Sequence, residues 1–148
     1  ALNKIRAAIK SSQKYSEEEL VKEVFLKLKI SEIKNDSELD KKISWKQIKK
    51  HSKNELLSIG GHGHNHKILS FLSSQGLEYE ISNCLKLLRE KAGISTMHFS
   101  YPEGLKHCYS EKVKKYLRKF GIKLCPTAIH GLNDKTTSPF DLKRINVV

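Results

Sequence analysis

From Ser44 onward, short apolar runs alternate with longer stretches whose apolar residues recur at helical spacing. That alternation constrains the fold more than any other feature of the chain. Ser44 can cap a helix carrying Trp45, Ile48 and Lys49. Leu56-Leu57-Ser58-Ile59, closed by Gly60-Gly61, has the length and texture of a buried strand. A His-rich turn follows, then the apolar residues Ile68, Leu69, Phe71 and Leu72. Residues 77–92 read as a long helix with the stripe Leu77, Ile81, Leu85 and Leu88, and Gly93 stands at its C-cap. Residues 97–101 alternate and are stopped by Pro102, as a strand is. Residues 111–120 form a helix with Val113, Tyr116 and Leu117 inward and Gly121 as its stop. Residues 122–125 are a short strand, and residues 144–148 a last extended run. The order predicts an α/β fold: a mostly parallel sheet flanked by helices. In that class, active residues sit on loops at the carboxyl ends of strands. His62 and His66 follow one such end, and Pro102-Glu103-Gly104 follows another.

Residues 1–43 have a different texture. Leu2, Ile5, Ala8 and Ile9 recur at helical spacing, and Ser16 with Glu19 makes a capping box before Leu20, Val24, Leu26 and Leu28. From Ser31 to Lys42 the segment is polar, and Asn35-Asp36-Ser37 marks a loop. The expected organisation is a helical segment over 1–43 joined to an α/β part over 44–148. At 148 residues this makes one domain overall. No apolar run approaches the roughly 18 residues of a membrane span. The first ten residues are amphipathic and lack the apolar core of a secretory signal. With no initiator Met, the expectation is a chain that starts at a processed or truncated end.

The formal net charge is +12, enough to attract nucleic acid, anionic lipid or acidic glycan. The basic residues are spread along the chain, however, and Lys112, Lys114, Lys115, Arg118 and Lys119 sit on one apparent helix with apolar partners between them. A solvated helix face accounts for them. No aromatic platform or nucleic-acid-binding module accompanies them, so no nucleic-acid partner is expected. Cys84, Cys108 and Cys125 have no CxxC spacing and are odd in number, which argues against a disulfide framework. Cys84 falls on the helical stripe with Ile81, Leu85 and Leu88, where a thiol behaves as a small apolar group. This leans toward a reducing, cytoplasmic setting or the cytoplasmic face of a membrane.

The chemistry concentrates in Gly60-Gly61-His62-Gly63-His64-Asn65-His66. His62 and His66 are four apart, and on one tight turn both imidazoles can face one cation. Zinc and similar metals favour imidazole nitrogen. A catalytic centre wants about three protein ligands and an open position, so two histidines do not complete one. The plain alternative is a polar loop whose histidines bond to backbone. The glycines favour the metal, since they allow a sharp turn just past a strand. His64 lies two residues from each partner and should face away.

The run from Leu57 to Ser70 resembles the second motif of the polysaccharide deacetylase family, the NodB-homology group: a buried strand, a turn, and two histidines spaced H-x-x-x-H. Trp45-Lys46-Gln47-Ile48 resembles the tryptophan-led helix before that strand, and Glu80-Ile81-Ser82 through Leu88 the helix after it. Phe99-Ser100-Tyr101-Pro102-Glu103-Gly104 resembles the third motif, and Phe140 to Val147 a segment near the end of many members. The resemblance covers about two thirds of the chain, in the right order. It implies a partial (β/α) barrel whose first strands are missing, with residues 1–43 as a variable helical insertion. It implies a hydrolase that removes acetyl groups from an N-acetylated glycan with a divalent metal, most often zinc. His62 and His66 would be metal ligands, the Glu103 backbone N–H would stabilise the oxyanion, and Tyr101 and Pro102 would shape the floor.

Some family features are absent. The first motif, Thr-Phe-Asp-Asp-Gly, would supply the general base and a third ligand, and no Asp-Asp pair occurs in this sequence. This chain alone is therefore expected to be inactive. Gly63 stands where Ser or Thr is usual, Ser100 where one branch has Arg, and Glu103 where an aromatic is usual. No Leu-x-His run makes a convincing general-acid motif, and His130 reads as a loop histidine. Three readings follow: a deacetylase, a degenerate glycan-binding module of the same fold, and a basic protein that binds nucleic acid. The sugar, the metal and the oligomeric state are not encoded in these features.

Overall fold

The computed structural model describes residues 17–31 and 38–145. The predicted helix around Leu2 to Ile9, the Ser16 cap, the Asn35-Asp36-Ser37 loop and the last residues of the C-terminal run lie outside them. The chain divides into two units, Ala1–Ile43 and Ser44–Val148.

In the first unit the described residues form helix α1, Glu17–Leu28. An exposed Lys27–Glu23 pair at 2.6 Å spans one turn. The helix ends in a left-handed residue, Lys29 (φ 54°). The Ile30 N–H then donates to Phe25 O and the Lys29 N–H to Leu26 O, which satisfies two of the last carbonyls.

In the second unit, helix α2 is Trp45–His51. Its cap is the expected Ser44, in a reciprocal capping box with Gln47 worth about 1 kcal/mol. Helix α3 is Ser74–Ala92 and begins three residues before the predicted start, because Ser73 caps it by accepting the Gly76 N–H. Gly93 closes it in the left-handed conformation. Helix α4 is Glu111–Lys119, capped by Ser110. Leu77 and Ile81 of α3 and Val113 and Leu117 of α4 are fully buried with Leu69, Phe99 and Ile122. Each such side chain contributes roughly 1.5–3 kcal/mol.

The helices lie between extended segments that pair in chain order. Gly61 bridges Phe99, and His98 bridges Leu124, both in parallel. Strand β1, Pro126–His130, then pairs in parallel with β2, Leu142–Arg144. All described pairings are parallel, so the α/β arrangement holds with a small parallel sheet flanked by helices. The described residues do not show a closed barrel.

Several strand expectations are corrected: residues 97–101 and 122–125 carry isolated bridges at His98, Phe99 and Leu124 rather than full strands. Leu56-Leu57-Ser58-Ile59 is not a buried strand: Leu56 is 92% exposed, and pairing begins only at Gly61. An apolar run becomes a strand only where a partner backbone meets it, and here the partner segment meets the glycines. Residues 126–130 form β1, so His130, expected as a loop histidine, ends a strand. Pro126 is tolerated because it opens the strand. The last strand among the described residues is Leu142–Arg144, which meets the predicted 144–148 run at Arg144. Gly60 and Gly61 also serve differently from expectation. A Cβ on Gly61 would stand 2.6 Å from the Phe99 ring, so the pair permits close backbone approach rather than a turn.

Candidate metal centre

The His-rich loop leaves the sheet directly after the Gly61 bridge. It is not helical. Gly63 (φ 85°) and His66 (φ 56°) both adopt the left-handed region, which reverses the chain within four residues. For His66 that conformation costs roughly 1–2 kcal/mol. The result is that the exposed rings of His62 and His66 stand side by side, with centroids 4.9 Å apart and planes at 66°. The His64 ring goes elsewhere and meets the edge of Tyr79 on α3 at 5.5 Å.

His62 is held by the neighbouring sheet segment. Its Nδ1 lies 2.8 Å from the Ser100 backbone carbonyl and 2.8 Å from the Ser100 hydroxyl. A carbonyl only accepts, so Nδ1 carries the proton and Nε2 presents a lone pair. That is the tautomer a metal ligand needs, with the outer-shell partner that such histidines commonly have. The donor chemistry of this pair therefore suits a divalent metal. Among the described residues, no group of three or more His, Cys, Asp or Glu could hold an ion, so the pair would supply two ligands of a larger set. A groove of about 260 Å³ runs beside His62 and is lined by Gly60, His98, Phe99, Ser100, Leu124 and Pro126.

The Tyr101-Pro102-Glu103-Gly104 turn lies against the same loop. A Cβ on Gly63 would be 3.3 Å from the Pro102 ring. Glu103 is half-buried and left-handed (φ 60°), and the Gly104 N–H donates back to Pro102 O at 2.7 Å, closing a three-residue turn. In the second unit His66 and Glu103 are the described non-glycine residues with positive φ. Backbone strain of this kind clusters at functional sites. Tyr101 is 2% exposed, stacks on Tyr109 at 4.3 Å, and donates its hydroxyl to Phe140 O at 3.0 Å. Burial raises its pKa well above the usual phenol value. Tyr101 and the buried Pro102 thus support the turn from beneath.

Two functional-looking residues escaped the sequence reading. Glu80, on α3, is 3% exposed yet accepts the N–H groups of His64 and Asn65 at 2.9 and 2.8 Å. Cys84, one turn on, is half-buried beneath Gly61, where a Cβ would stand 3.4 Å from its sulfur, and burial raises its pKa. Both fall within the apolar stripe of α3, and a Glu inside such a stripe was the available clue. Asp141 and Asp134 serve structure. Asp141 pairs with Lys114 at 2.7 Å, and Asp134 organises a turn with Thr136 and Thr137.

The comparisons with known proteins agree with this architecture. A family model described as polysaccharide deacetylase matches residues 5–125. Among solved structures, the Streptococcus pyogenes deacetylase PplD in complex with acetate is similar at 21% identity and a TM-score of 0.66, over 74% of this chain and 47% of that one. The BpsB deacetylase domain from Bordetella bronchiseptica is similar at 15% identity and 0.61, over 70% and 48%. A polysaccharide deacetylase from Bacillus cereus is similar at 20% identity and 0.61, over 84% and 42%. At these identities the likeness is one of fold, and the match spans less than half of each of those chains. No curated protein sequence matches. The family match covers well over half of the sequence, and it takes in both the histidine loop and the Tyr101–Gly104 turn, so the chain belongs to the polysaccharide deacetylase family.

Proposed function

We propose that this chain carries part of the active site of a metal-dependent hydrolase that removes acetyl groups from the N-acetylated sugars of a polysaccharide or glycoconjugate. The observation that carries the reading is the His62–His66 pair, 4.9 Å between ring centroids, on the loop that leaves the sheet at Gly61. His62 and His66 would hold a divalent metal, zinc first among candidates, because both offer imidazole nitrogen. Such an ion, when bound, polarises an amide carbonyl and makes a bound water more acidic. Ser100 keeps the proton of His62 on Nδ1. The Glu103 N–H, in the strained turn after Pro102, would donate to the amide oxygen as it gains negative charge. Tyr101 and Pro102 would hold that turn and shape the floor of the site. The chain-ordered parallel pairing supports reading the sheet as part of a (β/α) barrel of the deacetylase type.

A second reading is a non-catalytic glycan-binding module of the same fold. It is favoured by the lack, among the described residues, of a third metal-ligating side chain beside His62 and His66. No carboxylate stands with them there to act as general base either, so this chain as it stands is expected to be inactive. The test is acetate release from chitin oligomers and N-acetylated peptidoglycan, with zinc or cobalt, by this chain and by the whole polypeptide its gene encodes. Metal-dependent release by the whole polypeptide supports the enzyme. Glycan retention without release by either supports the binding module.

A further inference from the structure

Two successive backbone N–H groups of the histidine loop are received by one helix. Those of His64 and Asn65 donate to Glu80 Oε2 at 2.9 and 2.8 Å, and the Asn65 side-chain amide donates to Oε1 at 2.8 Å. Both carboxylate oxygens of Glu80 are used, so one side chain of α3 receives all three donors. The left-handed turns at Gly63 and His66 take these N–H groups away from any sheet partner, and buried donors must be satisfied somewhere.

Glu80 is unusual in what it lacks. It is 3% exposed, and among the described residues it forms no ion pair. A buried carboxylate without a cation is costly, and here three N–H donors from the histidine loop offset that cost. A neutral side chain could fill the same space more cheaply. The charge is explained if the loop above it receives a cation.

We propose that Glu80 is a positioning residue of the candidate metal centre. Its carboxylate locks the loop in the turn that sets the His62 and His66 imidazoles on one side, and its charge strengthens attraction for a divalent ion. The inference rests on the metal reading of His62 and His66.

The test compares Glu80→Ala, Glu80→Gln and the core control Ile81→Val in the full chain. Zinc affinity is read by competition with a chromophoric chelator, and hydrogen exchange at the His64 and Asn65 amides is read without metal. Glu80→Ala should weaken zinc binding by about 10–100-fold, the range for outer-shell partners of metal ligands, and should expose both amides. Glu80→Gln keeps an acceptor, so it should lose about tenfold, the low end of that range, and retain part of the protection. Ile81→Val should lower stability and leave zinc affinity unchanged. If Glu80→Ala binds zinc as tightly as the unmodified chain, or leaves the exchange unchanged, the positioning role is overturned while the metal reading stands. If Glu80→Ala does not fold, wild-type zinc affinity in Glu80→Gln overturns it equally. An unmodified chain that binds no zinc overturns the metal reading, and this inference with it.

Discussion

The imidazole of His62 is tied to the main chain of Ser100, its Nδ1 2.8 Å from that carbonyl across 38 residues of sequence. The tie joins two loops at the sheet's end, and it survives any side-chain change at Ser100 because the acceptor is backbone. Ser100→Ala removes only the hydroxyl and should cost little zinc affinity. His62→Ala and His66→Ala each remove a ligand and should cost more than the roughly 10–100-fold of an outer-shell change. His64→Ala should bind zinc like the unmodified chain, since its ring lies against Tyr79. Isothermal titration with zinc checks all four. Equal losses at His64 and His66 would refute the assignment.

Gly61→Ala places a methyl group 2.6 Å from the Phe99 ring, which is itself 1% exposed and has no room to retreat. Overpacking of this kind should destabilise the fold by about 1–3 kcal/mol. Urea denaturation measures it. Gly93→Ala is the informative comparison, because a Cβ there meets nothing within 4 Å and only the left-handed backbone is strained.

Tyr101→Phe deletes the hydroxyl that Phe140 O accepts in the core. It should lower stability by about 1–2 kcal/mol, because a buried carbonyl is left without its donor. Zinc affinity should not change. A large loss of metal binding with unchanged stability would instead move Tyr101 into the site.

Asp134 bears on acid stability. Hydrogen bonds from the Thr136 hydroxyl and N–H, then from Thr137, push its pKa down from 3.8 to about 2. A depressed carboxylate contributes stability above its unfolded pKa and loses it as pH falls through the folded one. The turn over residues 134–137 should therefore loosen between pH 3.8 and about 2. Carboxyl chemical shifts of Asp134 should titrate with a midpoint near 2, and Thr136→Ala should raise that midpoint toward 3.8. An unperturbed midpoint in the unmodified chain would contradict the hydrogen bonds.

How far the sequence could be read depends on the range of each interaction. Ser44 and Gly93 act within one helical turn, so these helix ends were legible from neighbours alone. Leu56–Ile59 misled because its apolar composition says nothing about whether a partner backbone arrives, and none meets Leu56. At the candidate site, the spacing of His62 and His66 was visible because four residues is a local distance. Glu80 was not, because its N–H donors lie 15 and 16 residues upstream. Nor does local spacing reveal that Glu103 takes a left-handed backbone, which no side-chain pattern marks.

The pairing of sheet neighbours in chain order also bears on how the second unit assembles. Each extended segment meets the one that preceded it along the chain, with at most one long helix to be closed between them. Loop-closure entropy is then paid in modest steps, and no pairing waits for a distant segment to emerge. On the ribosome, the Gly61–Phe99 contact can form before residues 126–144 emerge, so the histidine loop can gain its support from α3 and Ser100 while the C-terminal strands are still to come.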